Sequence, residues 1–314
     1  MIPDLSLSNP VHLSIAIIFA VLVVASVIVA FMRRRDPDNR HKELSDRVKS
    51  WWFMIFIFSL AVLTSPLVSV IFFALISFLA FKEFISIVPL RRADRRVLFW
   101  AYLAIPIQYA FVDMERYGLF IVFIPVWVFF LVPFRLILAG QTDGYLKSVS
   151  TINWGLMITV FAISHAAMLM RLPATAGTVA GGTGLLMFMV MLNQGNDVAQ
   201  YVWGRMLGRH PIAPSVSPKK TWEGFIGGVA TTVVAAALLA PFLTPFSVTF
   251  ALLAGLLIGV TGFIGDLTFS ALKRDLKIKD SGSLIPGHGG ILDRVDSLSL
   301  TAPLFFHFTR YFYF

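Results

Sequence analysis

The residues best suited to chemistry crowd into one C-terminal stretch, Gly262 to Leu298, where acids, bases and glycines follow directly on a hydrophobic run. If Asp266 to Leu276 is helical, Asp266, Ser270, Lys273, Arg274 and Lys277 recur at helical spacing, so a carboxylate, a hydroxyl and three cations share one face. The run Pro286, Gly287, His288, Gly289, Gly290 is too glycine-rich for a helix, and its bare N–H groups can approach an anion. Asp293 and Asp296 flank Arg294 and, three apart, share a face of whatever helix starts there. Acids suited to hard cations beside bases suited to phosphate point to metal-assisted phosphoryl or nucleotidyl chemistry.

Two further polar blocks precede this one. Asn196 and Asp197 end an otherwise apolar run, and an ionisable group there is costly unless it is paired or functional. A structural ion pair with Arg205 or Lys219 is the bland alternative; function is preferred for Asp197. In Ser217-Pro218-Lys219-Lys220-Thr221-Trp222-Glu223-Gly224, Ser217 reads as an N-cap and Pro218 as the first helical residue. Two lysines in that first turn oppose the helix dipole, a conflict that a bound anion removes. For Lys219 and Lys220 taken alone, ordinary positive charge flanking a membrane span is the simpler reading. Lys82 and Glu83 need only snorkelling and pairing, and His165 in an apolar helix reads as a packing residue. His288 in the glycine loop either touches phosphate, acts as an acid, or merely hydrogen-bonds the loop.

These groups must be positioned by membrane helices. Of 314 residues, 57% are hydrophobic and 14% charged, more apolar surface than a soluble chain of this size can hide. With no cysteine, disulfides, thiolate metal sites and a thiol nucleophile are excluded. The net charge of +9 lies in loops, where it suits orientation and anionic lipid, not nucleic acid. Residues 1–10 lack the Lys or Arg of a signal-peptide n-region. Spans are expected over 11–32, as a hairpin broken at Ser65-Pro66 within 51–90, and over 97–112, 118–140, 153–170, 184–208, 225–243, 248–265 and 298–314.

The expected fold is an all-α polytopic membrane protein of about ten helices, with both ends of the chain on the outer side. Residues 1–183 form N-terminal helices and 184–314 carry the motifs, within one integrated membrane domain. Of 26 Lys and Arg, only Arg116, Arg171 and Arg310 fall on or near the outer side, which puts every motif at the cytoplasmic face.

The pattern Ser270-x-x-Lys273-Arg274 followed by Lys279-Asp280 and Pro286-x-His288-Gly289-Gly290-x-x-Asp293-Arg294-x-Asp296 resembles that of the CTP:phosphatidate cytidylyltransferases, or CDP-diacylglycerol synthases. The Asn196-Asp197 and Ser217 to Gly224 blocks resemble that family's other conserved segments, in the same order. The resemblance covers Gly184 to the C-terminus, while the first half matches only as a set of hydrophobic spans, as in a divergent paralogue.

The resemblance implies transfer of CMP from CTP to phosphatidate, with CDP-diacylglycerol and pyrophosphate as products. It implies magnesium, as a pair of ions held by Asp266, Asp293 and Asp296. Asp197, Lys220, Lys273, Arg274, His288 and Arg294 then have catalytic roles, and Ser217, Lys219, Thr221, Ser270, Gly287, Gly289 and Gly290 contact substrate. It further implies a bacterial inner membrane, an active site facing the cytoplasm, and possible homodimers. The rival readings are a cytidylyltransferase or kinase acting on another membrane lipid, and an anionic-lipid transporter. A transporter would carry polar motifs on both sides, whereas these motifs cluster on one.

Overall fold

The computed structural model describes residues 9–35, 42–91, 94–138, 140, 142–173, 180–285, 287 and 289–314. His288, predicted to act in the glycine loop, lies outside them. The chain is helical almost throughout: α1 (Pro10–Arg35), α2 (Lys42–Thr64), α3 (Pro66–Ile87), α4 (Arg95–Asp113), α5 (Tyr117–Ile137), α6 (Tyr145–Leu169) and α7 (Gly181–Leu207) come first. A hairpin of β1 (Pro211–Ala213) and β2 (Ser217–Thr221) precedes α8 (Trp222–Leu243), α9 (Val248–Asp275), the single turn α10 (Leu292–Val295) and α11 (Leu298–Tyr313).

Seven helices among the described residues are long and apolar enough to cross a membrane: α1, α2, α3, α5, α6, α8 and α9. Three more long helices complete the bundle. In α4 the first turn is Arg95-Arg96, α7 carries Asn193, Asn196 and Asp197, and α11 has 16 residues. This is an all-α polytopic membrane protein. Its outer faces are apolar, with Val21 62% and Phe53 67% exposed, as a lipid-facing surface requires.

The predicted break at Ser65-Pro66 is where α2 ends and α3 begins. Ser65 is extended and its hydroxyl accepts from the Val68 N–H, while Pro66 occupies the first helical position, which needs no N–H donor. The helices fold back on each other, so Phe58 and Phe72 meet with ring centroids 6.3 Å apart. At the centre lies α6, whose Ile152, Leu156, Ile163 and Leu169 are fully buried. His165 is fully buried there too, its Nδ1 2.7 Å from the Phe161 carbonyl and its ring packed among Phe120, Phe161 and Phe306, the packing role expected of it.

The helix expected to begin at Ser217 starts later. Ser217–Thr221 is a strand paired antiparallel to Pro211–Ala213, and Thr221 is the N-cap of α8, its hydroxyl accepting from the Gly224 N–H. The reason is local: Glu223 in the first turn of α8 accepts from the N–H groups of Arg209 and His210, which folds the preceding chain back as a hairpin. Lys219 and Lys220 therefore lie on a strand before the helix, and their supposed conflict with its dipole does not arise.

Candidate active site

Helices α7, α8, α9 and α11 are bound to one another by buried polar side chains that lipid could not satisfy. Asn193 donates to Ser297 (2.9 Å) and accepts from Thr301 (3.0 Å). Asn196 donates to the Gly259 carbonyl (3.1 Å) and accepts from Thr232 (3.1 Å). Every side chain in this set is buried. Close approach of α7 and α8 depends on Gly228, where a Cβ would sit 3.1 Å from both N and Cα of Gln200. This frame sets Asp197: the Ser297 hydroxyl, placed by Asn193, donates to its carboxylate at 3.2 Å.

Beside Asp197 stand two further acids. Asp266, on α9, is paired with Lys220 of β2 at 2.6 Å, and Ser270 one turn on donates to Asp266 at 3.3 Å. The Lys220 ammonium also lies 4.7 Å from the centroid of the Phe263 ring. Asp296, at the end of α10, accepts from the Ser297 N–H (2.7 Å). Burial, with the carboxylates of Asp266 and Asp197 beside it, raises the Asp296 carboxyl to about 7. Asp197, Asp266 and Asp296 thus share one field, drawn from α7, α9 and the α10–α11 junction.

Asp293 faces differently. Its carboxylate takes Lys273 at 2.8 Å, the Ser281 N–H and hydroxyl at 2.9 Å each, and the Gly290 N–H at 3.1 Å. Burial alone would raise its pKa, but Lys273 and the backbone donors outweigh that and hold it below the usual carboxylate range. It fastens the loop over 281–290 to α9. Gly289, at φ +77°, belongs to this arrangement, since a Cβ there would fall 2.6 Å from the Asp293 carboxylate. Among the described residues, no three acids or histidines are grouped closely enough to hold a metal ion as they stand.

The remaining predicted residues spread around this end of the bundle. Arg274 donates to the Val216 carbonyl (3.1 Å), tying the end of α9 to the hairpin. Lys277 follows α9 with φ +57° and is exposed, so it leaves the face that Asp266 and Ser270 share. Lys219 and Arg294 are exposed, Ser217 is partly buried, and Gly287 has φ +73°. Gly290 is buried against Glu83, where a Cβ would overlap the carboxylate.

Glu83 is the residue that sequence reasoning passed over. From the end of α3 it accepts the N–H groups of Ile291 (2.9 Å) and Leu292 (3.1 Å) and the Ser281 hydroxyl. It thereby caps the unsatisfied N-terminus of α10, the turn that carries Asp293 and leads to Asp296. The available signal was an acid near the end of an apolar helix, where a carboxylate is costly unless it is satisfied.

The donor set is all oxygen and rich in carboxylate, which suits a hard divalent cation. An acid raised toward neutrality by burial and by two like charges marks a place where extra positive charge would be stabilising. Cations of β2 and α9 adjoin it for anionic ligands. The arrangement is equipped to hold phosphates against one another.

Comparison with known proteins agrees. A family model described as the cytidylyltransferase family matches residues 45–312. The uncharacterized protein YnbB of Escherichia coli (strain K12) is 44% identical over 298 residues, covering 95% of this chain and 98% of that one. A phosphatidate cytidylyltransferase of Mycobacterium bovis is 34% identical over 161 residues, covering 51% of this chain and 50% of its own. One from Haemophilus influenzae is 41% identical over 145 residues, covering 42% and 46%. The matches to these two named enzymes thus span about half of each chain. With its acids, cations and glycine loop gathered at one end of a helical membrane bundle, this chain belongs to the cytidylyltransferase family and is a nucleotidyltransferase.

Proposed function

We propose that the protein transfers CMP from CTP to the phosphate of phosphatidate, forming CDP-diacylglycerol and pyrophosphate. The observation that carries this reading is the Lys220–Asp266 pair with Asp197 and Asp296 within its electrostatic reach, at the end of the bundle that also holds Lys273 and Arg274. The lipid phosphate is already an anionic nucleophile, so no side-chain nucleophile is needed. Its oxygen bonds to the α-phosphorus of CTP as the bond to the β-phosphate oxygen breaks, and the electron pair leaves on pyrophosphate.

Asp197, Asp266 and Asp296 would hold magnesium, as one ion or a pair, which when bound supplies positive charge to the nucleotide phosphates. Lys220, paired with Asp266, would neutralise phosphate beside it. The polar network behind Asp197 fixes it before substrate arrives, so little reorganisation is needed. Asp293, Lys273 and Glu83 act one layer back by holding the 281–292 segment, so that the N–H groups of Gly287 and Gly289 face substrate. Arg274 and Arg294, with Lys219, Ser217 and Thr221 of the hairpin, add contacts to phosphate or nucleoside. Acyl chains enter between helices while the head group meets soluble CTP.

We infer that the active site faces the cytoplasm from a bacterial inner membrane. The support is charge: Arg33, Arg34, Lys49, Arg91, Arg95 and Arg96 lie in the loops and helix ends on the same side as the site, by alternation of the helices. On the opposite side Arg171 is taken up by Asp113 and Glu115.

The test is incubation of membranes containing the protein with labelled CTP, magnesium and phosphatidate. Liponucleotide formation that requires all three supports the proposal. A second reading keeps the chemistry and changes the acceptor. It is favoured because the near-full-length likeness is to YnbB, while the likeness to the two named phosphatidate enzymes covers about half of the chain. Failure with phosphatidate together with transfer to another lipid phosphate would select it.

A further inference from the structure

Away from these residues, helices α1 and α2 enclose a cavity of about 270 Å³, lined by Ser26, Val29, Arg33, Ser45, Lys49 and Trp52, with Ala30 and Val48 completing its wall. Its position follows from the two spans. Pro10–Arg34 and Leu44–Thr64 both reach the membrane surface at this end, so the cavity lies at head-group depth between them. Its apolar wall continues into the lipid-facing surfaces of α1 and α2, where Val27, Ile28 and Phe56 are exposed.

The polar part is ordered. The Trp52 indole donates to Ser26 (2.9 Å) and Ser26 donates to the Leu22 carbonyl (2.7 Å), which fixes the indole at the interface. Phe19 packs on Trp52 at 5.6 Å between centroids. Arg33 donates to the buried Ser45 hydroxyl at 3.3 Å, which holds its guanidinium at the cavity. Lys49 is 73% exposed, and among the described residues it pairs with Asp46 at 3.9 Å. None of the described lining residues is acidic.

Two cations and two hydroxyls over an apolar, lipid-continuous wall match one ligand chemistry, a phosphate carried on a hydrocarbon tail. We propose that the α1–α2 groove binds the phosphate head group of an anionic membrane phospholipid. It shares no residue with the Asp197, Asp266 and Asp296 end of the bundle, and the proposal does not depend on the identity of the lipid acceptor. One consequence links the two: α2 turns Arg47 toward the glycine loop, where a Cβ on Gly287 would fall 3.1 Å from the Arg47 side chain. Lipid seated between α1 and α2 therefore steadies the helix that borders the loop.

The test uses the full-length protein in nanodiscs of phosphatidylcholine with increasing phosphatidylglycerol, with retained lipid counted by native mass spectrometry. Lys49→Gln, at an exposed position, is expected to weaken phosphatidylglycerol retention roughly fivefold, and Arg33→Gln with Lys49→Gln roughly thirtyfold. Arg33→Lys should retain most of the binding, and Arg34→Gln, whose side chain does not line the groove, should change it little. Unchanged retention in Lys49→Gln and in the double variant overturns the proposal. So does an equal loss in Arg34→Gln, which would reduce the effect to surface charge. A millimolar inorganic phosphate arm separates the sources: displacement of the lipid by phosphate would overturn a membrane lipid as the ligand, and persistence supports it.

Discussion

The carboxylate of Glu83 and the backbone N–H of Ile291, 208 positions apart in the chain, are joined by a hydrogen bond of 2.9 Å. The same carboxylate reaches Leu292 and Ser281, so the end of α3 holds the start of the turn that carries Asp293. An acid from the first half of the chain thus sets the position of the motif in the second.

Replacing Glu83 by Ala leaves these donors buried without a partner. Each charge-assisted bond of this kind contributes about 1.5–3 kcal/mol, so Glu83→Ala should lower stability by at least about 2 kcal/mol. Thermal unfolding in detergent measures it. Glu83→Gln keeps the shape and one acceptor oxygen, and should insert normally while losing roughly tenfold in kcat. Wild-type unfolding and turnover in both variants would remove Glu83 from the site's support.

Lys220 and Asp266 form a partly buried pair at 2.6 Å. Lys220→Met should lower kcat/KM for CTP by roughly a hundredfold, the scale for loss of one preorganised charge on a phosphate. Because the two side chains touch, Lys220→Met with Asp266→Asn should fall short of the product of the single effects. A double-mutant cycle on kcat/KM reads this, and strict additivity would show that the pair is ornamental to turnover.

Asp293 and Asp296 should fail in different ways. Asp293→Asn leaves Lys273 without its buried partner, which typically costs about 3–5 kcal/mol, so the variant should unfold at lower temperature or accumulate poorly. Asp296→Asn removes a carboxylate whose ionisation is already unfavourable, so it should unfold no earlier than wild type while turnover collapses. Equal thermal loss in both would overturn this division.

If Asp296 holds magnesium as proposed, the ion and a proton compete for its raised carboxyl. With its folded pKa raised to about 7, the stability that its protonated form contributes is present at low pH and lost as the pH rises through that value. Magnesium needs the ionised form, so apparent magnesium affinity should rise with pH through about 7 and then level off. Titrations of thermal stability with magnesium at several pH values test this without reference to activity. Chelation should abolish turnover, and a magnesium affinity flat with pH would exclude Asp296 from the cation site.

At Gly228 a methyl group would press on the backbone of Gln200 at 3.1 Å. Gly228→Ala should therefore separate α7 from α8 and destabilise the protein by about 1–3 kcal/mol, read as a lower unfolding temperature.

Much of this protein is legible in the residues alone. Hydrophobic runs of spanning length, the Ser65-Pro66 break and the one-sided Lys and Arg placed the helices and turned the motif ends to one side, because lipid permits little besides apolar helices. Asp197 was legible as an acid where an acid is expensive, and Asp266, Asp293 and Asp296 as acids beside bases in a cation-and-phosphate pattern. Local cues misled at Ser217, where an N-cap residue followed by proline became a strand because Glu223 draws back the chain at Arg209 and His210. The direction of Asp293 toward Lys273, the nearness of Asp197 to Asp266, and the reach of Glu83 to Ile291 were decided only by the tertiary structure. Periodicity reports which side of a helix a residue occupies, whereas these three facts depend on which helix comes to lie opposite, a matter settled by buried Asn193 and Asn196 and by glycines that let backbones meet.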